Sequence, residues 1–70
     1  MERRRINATN MRAVGYDPAG CMLEIEFTNG TVLRYSGVPA EVHRRLMGAA
    51  SPASYWRDNI EEDYREQRVR

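Results

Sequence analysis

The chain has 70 residues, and its 11 basic and 10 acidic side chains leave a net charge of +1. So short a chain buries only about 60% of the surface that its unfolded form exposes, which excludes a second domain and a deeply enclosed cleft. No apolar run approaches the roughly 20 residues of a membrane-spanning helix, and no apolar signal segment follows the N-terminal arginines. A single cysteine excludes an internal disulfide. These features predict one cytoplasmic domain without a membrane anchor.

Three strands are predicted in the first half of the chain. Residues Met11 to Asp17 form the first, which ends at a turn signal, Asp17-Pro18-Ala19-Gly20. From Cys21 to Thr28, apolar Leu, Ile and Phe alternate with two glutamates, which is typical of a strand with one buried face. Asn-Gly then predicts a hairpin, and Thr31 to Ser36 supplies the third strand.

The registers of the two hairpins follow from separating apolar from charged side chains. A three-residue loop, Thr28-Asn29-Gly30, pairs Ile25 with Leu33, Leu23 with Tyr35, and Glu24 with Arg34. A four-residue first turn pairs Val14 with Leu23 and Tyr16 with Cys21.

Two helices are predicted in the second half. Pro39 suits the first position of a helix that ends near Ala49. Ser51 followed by Pro52 marks the start of a second helix, whose apolar residues recur every four positions until about Arg65.

The predicted fold is α+β, a three-stranded antiparallel β-meander followed by two helices packed on one face (βββαα). The domain covers residues 10–65, between a flexible basic arm of residues 1–9 and a polar tail of residues 66–70. The predicted core consists of apolar and aromatic side chains from both halves: Leu23, Ile25, Phe27, Leu33, Tyr35, Val42, Leu46, Trp56 and Ile60.

No catalytic, metal or cofactor site is predicted. The single histidine, His43, lies in the middle of the first helix with no orienting residue beside it in sequence. One His and one Cys fall short of a three- or four-ligand metal set. Glu24 and Glu26 share a strand face, which is interpreted as a solvated face with Arg34 opposite Glu24 rather than a paired acid and base.

Basic side chains are concentrated near the N-terminus, where four arginines and Glu2 give residues 1–12 a charge of +3. Arginine binds phosphate through flat, bidentate contacts, although the absence of lysine also fits codon bias in a GC-rich genome. A polyanion site would combine the arm with basic residues of the first helix, helped by the helix start at Ser51. The candidate residues are Arg3, Arg4, Arg5, Arg12, Arg44 and Arg45. An ordinary solvated arm is the alternative.

Several short motifs follow one another in an order and at a spacing that match a known family: Val14-Gly15-Tyr16-Asp17, Leu23-Glu24-Ile25-Glu26-Phe27, Asn29-Gly30, Arg34-Tyr35, Val38-Pro39, Leu46, Ser51, Tyr55-Trp56, Ile60 and Tyr64. From Asn10 to Tyr64 the chain resembles the KTSC domain, a module named for the C-terminus of some lysyl-tRNA synthetases and also found as small bacterial and phage proteins. The chain departs from that pattern in having Leu33 in place of an aromatic residue, Ala53 in place of a glycine, and acids at residues 61–63.

The resemblance supports the fold more than a function. The chain is predicted to be a small non-enzymatic binding module, with RNA, which the resemblance suggests, as the first candidate ligand and tRNA as one example. The synthetase fusion behind that suggestion is an association and not a mechanism. The acids at residues 61–63 would repel phosphate. The alternative function is a protein-interaction module, in which the acidic second helix and the basic arm meet a partner protein or a second copy of the chain.

Overall fold

Five strands and two helices make up the fold in the computed structural model, which describes residues 3–6 and 8–70. In chain order they are β1 (Arg3–Arg5), β2 (Met11–Asp17), β3 (Met22–Phe27), β4 (Val32–Ser36), α1 (Ala40–Gly48), α2 (Pro52–Asn59) and β5 (Arg65–Arg68). The strands form one antiparallel sheet in the order β1-β2-β3-β4-β5. The predicted α+β class is confirmed, but the sheet has five strands instead of three.

The two additional strands come from segments predicted as arm and tail. Arg3–Arg5 pairs with the segment from Ala13 to Gly15, and Arg65–Arg68 pairs with the segment from Leu33 to Ser36. Both lie at sheet edges, where charged side chains reach water and discourage pairing with other chains. Such strands need no alternation of apolar residues, so their sequences carry no strand pattern. Residues 1, 2 and 7 of the predicted arm lie outside the described residues.

The hairpin between β3 and β4 has the predicted register, with Ile25 opposite Leu33 and Glu24 opposite Arg34. Gly30 adopts a φ of 93°, a left-handed conformation that glycine enters without steric cost. Its amide donates to the carbonyl of Phe27 at 3.0 Å. The side chains of the two strands therefore separate into an apolar face and a charged face.

The hairpin between β2 and β3 is shifted by two residues from the predicted register, since Val14 lies opposite Ile25 and Tyr16 opposite Leu23. Cys21 is the cause, because it adopts a left-handed φ of 53° and lies in the turn instead of starting the strand. The Asp17 carboxylate also accepts a hydrogen bond from the Ala19 amide at 3.1 Å. A shift of two residues keeps every side chain on its expected face.

Both predicted helices are present. Helix α2 begins as expected, with the Ser51 hydroxyl accepting a hydrogen bond from the Ser54 amide at 3.4 Å. It ends at Asn59, before the predicted end near Arg65. The acids at residues 61–63 would extend the helix with negative charge at its negative C-terminal end, which the helix dipole disfavours.

The core lies between the helices and one face of the sheet. Its buried members from the sheet, the loops and the helices are Met11, Val14, Leu23, Ile25, Phe27, Tyr35, Val38, Leu46 and Ile60. Leu33, Val42 and Trp56 were also predicted for the core and pack against it while half-buried. Neither helix in the described part of the chain has the length and apolar character needed to span a membrane.

Candidate nucleic-acid interface

The three consecutive arginines of β1 are divided between two faces of the sheet. Arg3 lies opposite Gly15, and Arg4 lies opposite Val14, whose side chain is in the core. Because successive side chains of a strand point to opposite faces, Arg3 and Arg5 start from the open face and Arg4 from the face that carries the helices.

On the open face, Arg3 belongs to a cluster of charged side chains, here called the sheet-face cluster. Its members are Arg3, Arg12, Arg34, Glu24 and Glu26. Arg3 and Arg34 each bind one carboxylate oxygen of Glu24, at 2.6 Å and 2.8 Å. Gly15 lies between Arg3 and Glu24 in the sheet and has no side chain to separate them.

Glu24 is the centre of the cluster and is only 4% exposed, so the predicted solvated glutamate is in fact buried. Burial alone would raise the pKa of its carboxyl. The hydrogen bonds from Arg34 and Arg3 outweigh burial and hold the pKa below its ordinary value. Glu24 is therefore ionised and structural, which argues against an acid–base role.

Arg12 joins the cluster through a β-bulge. The register of β2 against β3 shifts between Met11 and Ala13, which leaves Arg12 as the extra residue. Its guanidinium lies 3.7 Å from the Glu26 carboxylate and 3.5 Å from the carbonyl oxygen of Thr28. Two of the six predicted site residues, Arg3 and Arg12, thus have carboxylate partners within the protein.

Arg4 and Arg5 border a groove of about 480 Å³ between β1 and the end of α1. The other residues that line this arginine groove are neutral: Ile6, Met47, Ala49, Ala50 and Pro52. None of the ion pairs among described residues involves Arg4 or Arg5. Their positive charge is therefore not neutralised by a described carboxylate.

The arginine groove adjoins a hollow of about 260 Å³ at the start of α2, with which it shares Ala50 and Pro52. Ala53 also lines the hollow. Its amide lies in the first turn of α2, where an α-helix has no internal acceptor for it. The N-terminus of a helix favours anions, so the start of α2 adds positive potential beside the arginine groove.

The remaining two predicted site residues lie apart from the groove lining, on the exposed side of α1. Arg45 lies 3.8 Å from Glu41 one turn away, and both side chains are about two-thirds exposed. Arg44 is exposed. The structure thus brings together only Arg4 and Arg5 of the predicted set, beside the predicted helix start at Ser51.

Sequence reasoning did not identify the neutral residues that shape the groove. Met47, Ala49 and Ala50 come from the end of α1 and the link to α2. The run Gly48-Ala49-Ala50 is the signal, because residues without bulk leave space between two helices.

His43 lies at the edge of the core, where its ring stacks on Tyr16 with the centroids 4.6 Å apart. Burial lowers the pKa of His43, and the positive charge of Arg4 lowers it further. Arg4 thus disfavours a second positive charge on the imidazole. Within residues 3–6 and 8–70, no group of three His, Cys, Asp or Glu side chains could hold a metal ion.

Comparison with known proteins gives a family for this chain. An uncharacterized protein of Stutzerimonas stutzeri (strain A1501) is 41% identical over 51 residues, which are 73% of this chain and 72% of that protein. A protein of Tsukamurella paurometabola is 36% identical over 50 residues, 71% and 75% of the two chains.

A solved structure has the same fold. The crystal structure of a KTSC domain protein from Yersinia pestis matches with a TM-score of 0.92 at 28% identity, covering 99% of this chain and 97% of that one. The KTSC domain family itself matches residues 7–64. The chain therefore belongs to the KTSC domain family.

Proposed function

We propose that this KTSC domain is a small, non-enzymatic, cytoplasmic module that binds single-stranded RNA or tRNA. The arginine groove is the observation that carries the proposal. Arg4 and Arg5 border it, its other lining residues are neutral, and it adjoins the start of α2. The resemblance of the sequence to a module named for lysyl-tRNA synthetases suggests tRNA as a ligand but supplies no mechanism.

The chemistry of the groove fits the phosphates of a nucleic-acid backbone. The Arg4 guanidinium, the charge of Arg5 at the border of the groove and the positive end of a helix supply contacts that do not depend on base sequence. Such contacts release counterions, so the affinity should fall as salt rises. Only a few phosphates can be bound by so small a surface, which predicts a strong dependence of affinity on each arginine.

The test is a fluorescence-anisotropy titration of labelled tRNA and a labelled single-stranded RNA at several salt concentrations. The double variant Arg4→Gln/Arg5→Gln is compared with Arg57→Gln/Arg65→Gln, which removes the same charge from exposed positions outside the groove lining. We expect the groove variant to flatten the plot of log affinity against log salt by about 0.7 per lost contact. Equal losses in both variants would mean that only net charge matters.

A protein partner receives less support. Association through an apolar surface needs a contiguous exposed patch. Among the described residues, Val69 is the one large apolar side chain that is well exposed, at 46%. Light scattering across a range of concentrations checks self-association directly, and an increase in mass with concentration would favour it over RNA binding.

A further inference from the structure

A second concave surface lies between the β3–β4 hairpin and α2, here called the aromatic cleft. Its volume is about 250 Å³, and its apolar lining comes from Phe27, Leu33 and Trp56. The rings of Phe27 and Trp56 meet edge to face, with centroids 5.2 Å apart. The cleft is smaller than typical sites for drug-sized ligands, so it suits one flat ring and not a larger molecule.

A chain of two hydrogen bonds holds Trp56 in a fixed orientation. Its indole N–H donates to the Tyr35 hydroxyl at 2.9 Å, and that hydroxyl donates to the Glu66 carboxylate at 2.8 Å. Burial raises the pKa of Tyr35 far above its ordinary value, so the phenol keeps its proton. A half-buried indole anchored in this way is a pre-organised stacking surface.

The rim of the aromatic cleft carries neutral polar groups from Asn10, Thr28, Asn29 and Thr31. The Asn29 side chain accepts from the Thr31 amide, and the Thr28 hydroxyl lies 3.5 Å from the carbonyl oxygen of Asn10. The side chains of Asn10 and Thr31 make no hydrogen bond with other described residues. An amide and a hydroxyl are thus available to the donors and acceptors of a ligand.

One cation flanks the cleft. Arg68 lies opposite Leu33 in the pairing of β4 with β5. No described carboxylate lines the cleft. An apolar floor, a neutral hydrogen-bonding rim and a flanking arginine match a base with an adjoining phosphate.

The arginine groove and the aromatic cleft lie along the same helix. Pro52 lines the groove and Trp56 lines the cleft, four residues later in α2, which is a rise of about 6 Å. Residues 8–10 connect them as well, because Ala8 and Thr9 line the hollow and Asn10 lines the cleft. A strand of a few nucleotides can therefore contact both.

We propose that the aromatic cleft binds one unpaired nucleobase of a single-stranded RNA whose backbone lies in the arginine groove. The proposal rests on the RNA-binding function proposed above and adds base stacking to it. An apolar peptide side chain would fill the floor but would bring no anion to Arg68. Paired RNA is disfavoured for a different reason, because its bases are not available for stacking.

Trp56 is the single tryptophan of the chain, so its fluorescence reports on the cleft directly. The probes are an oligoadenylate RNA of about eight nucleotides and an abasic strand of equal length and charge. This length lies within the usual site size of proteins that bind single strands. We expect the RNA to quench Trp56 and to bind about 5- to 100-fold more tightly than the abasic strand.

Two pairs of variants separate base contacts from general charge. Asn10→Ala should weaken binding of the RNA about threefold and leave the abasic strand unchanged, whereas Gln67→Ala, an exposed amide outside the cleft, should change neither. Arg68→Gln should weaken RNA binding more than Arg65→Gln, which lies on the same strand but pairs with Ser36.

Each outcome distinguishes the two proposals. Equal affinity for both strands with no change in Trp56 fluorescence would overturn the base site and leave backbone binding by the groove intact. Failure of both strands to bind at low salt would overturn both proposals together.

Discussion

Arg3 and Arg4 are neighbours in the chain but lie in two different chemical environments. Arg3 is on the open face, where it shares the buried carboxylate of Glu24 with Arg34. Arg4 is on the helix side and borders a groove whose other lining residues, Arg5 apart, are neutral. The difference arises from strand alternation, which brings one side chain to a face with glutamates and the next to a face without them.

The comparison shows that a count of charge along a segment does not identify the cations available to a ligand. Residues 1–12 carry a net charge of +3. Arg3 and Arg12 face glutamates of β3, so part of this charge stabilises the sheet. Binding to a polyanion depends on the arginines that remain.

Replacing Glu24 gives the largest expected change in stability. Glu24→Gln removes the charge from both ion pairs and turns an amide N–H₂ toward one of the two guanidinium groups. We expect the free energy of unfolding to fall by about 2 kcal/mol, a value reduced because both arginines are about one-third exposed. Urea unfolding measures it.

The control for that experiment is Glu41→Gln, whose partner Arg45 is well exposed. Its effect should stay below about 0.5 kcal/mol. If both variants lost a similar free energy of unfolding, burial of Glu24 would not strengthen its ion pairs.

Acid should destabilise the sheet through the same carboxyl. Because the folded state lowers the pKa of Glu24, its contribution is fully present above the ordinary pKa of glutamate and is lost as pH falls through the lowered value. The difference in stability between the parent protein and Glu24→Gln should therefore be constant above the ordinary pKa of glutamate and shrink as the pH falls below it. A difference that is constant with pH, measured by urea unfolding, would contradict this.

Arg3 and Arg4 provide a comparison in which the expected changes in stability are smaller. Arg3→Gln should lower the free energy of unfolding by about 1 kcal/mol because it leaves the Glu24 carboxylate with one partner. Arg4→Gln should change it by less than about 0.5 kcal/mol, since no ion pair with a described residue is lost. Thermal or urea unfolding of the two variants side by side decides whether the division between faces is real.

The smallest effect is expected at Arg45. Arg45→Gln removes a single exposed pair on one face of α1, which is 3.8 Å long. Its unfolding free energy should change by about 0.3 kcal/mol, and salt should abolish the difference. A loss above 1 kcal/mol would indicate a contact of Arg45 beyond Glu41.

The parts of the fold that follow from side-chain patterning could be predicted. Alternation in β3 predicted both its buried face and the pairing of Glu24 with Arg34. Ser51 and Pro52 predicted the start of α2. In these segments one face is buried, so the sequence has to carry the pattern.

The parts of the fold that depend on edge strands and on single backbone angles could not be predicted from the sequence. β1 and β5 contain no buried residue, so no apolar pattern in Arg3–Arg5 or Arg65–Arg68 distinguishes a strand from a tail. The left-handed conformation of Cys21 shifts the register of the hairpin between β2 and β3. It could not be predicted, because cysteine does not favour this conformation. Which of the candidate arginines share a surface could not be predicted either, because the face that each arginine of Arg3–Arg5 occupies depends on the unpredicted strand β1.

The most direct measurement compares the affinity of one single-stranded RNA for Arg3→Gln and Arg4→Gln under the same low-salt conditions. The two variants have the same net charge and differ at adjacent positions. We predict that Arg4→Gln weakens binding about 3- to 10-fold and reduces the salt dependence, whereas the affinity of folded Arg3→Gln changes by less than about twofold. Equal losses would contradict the account, because strand alternation would then not decide which arginine meets RNA.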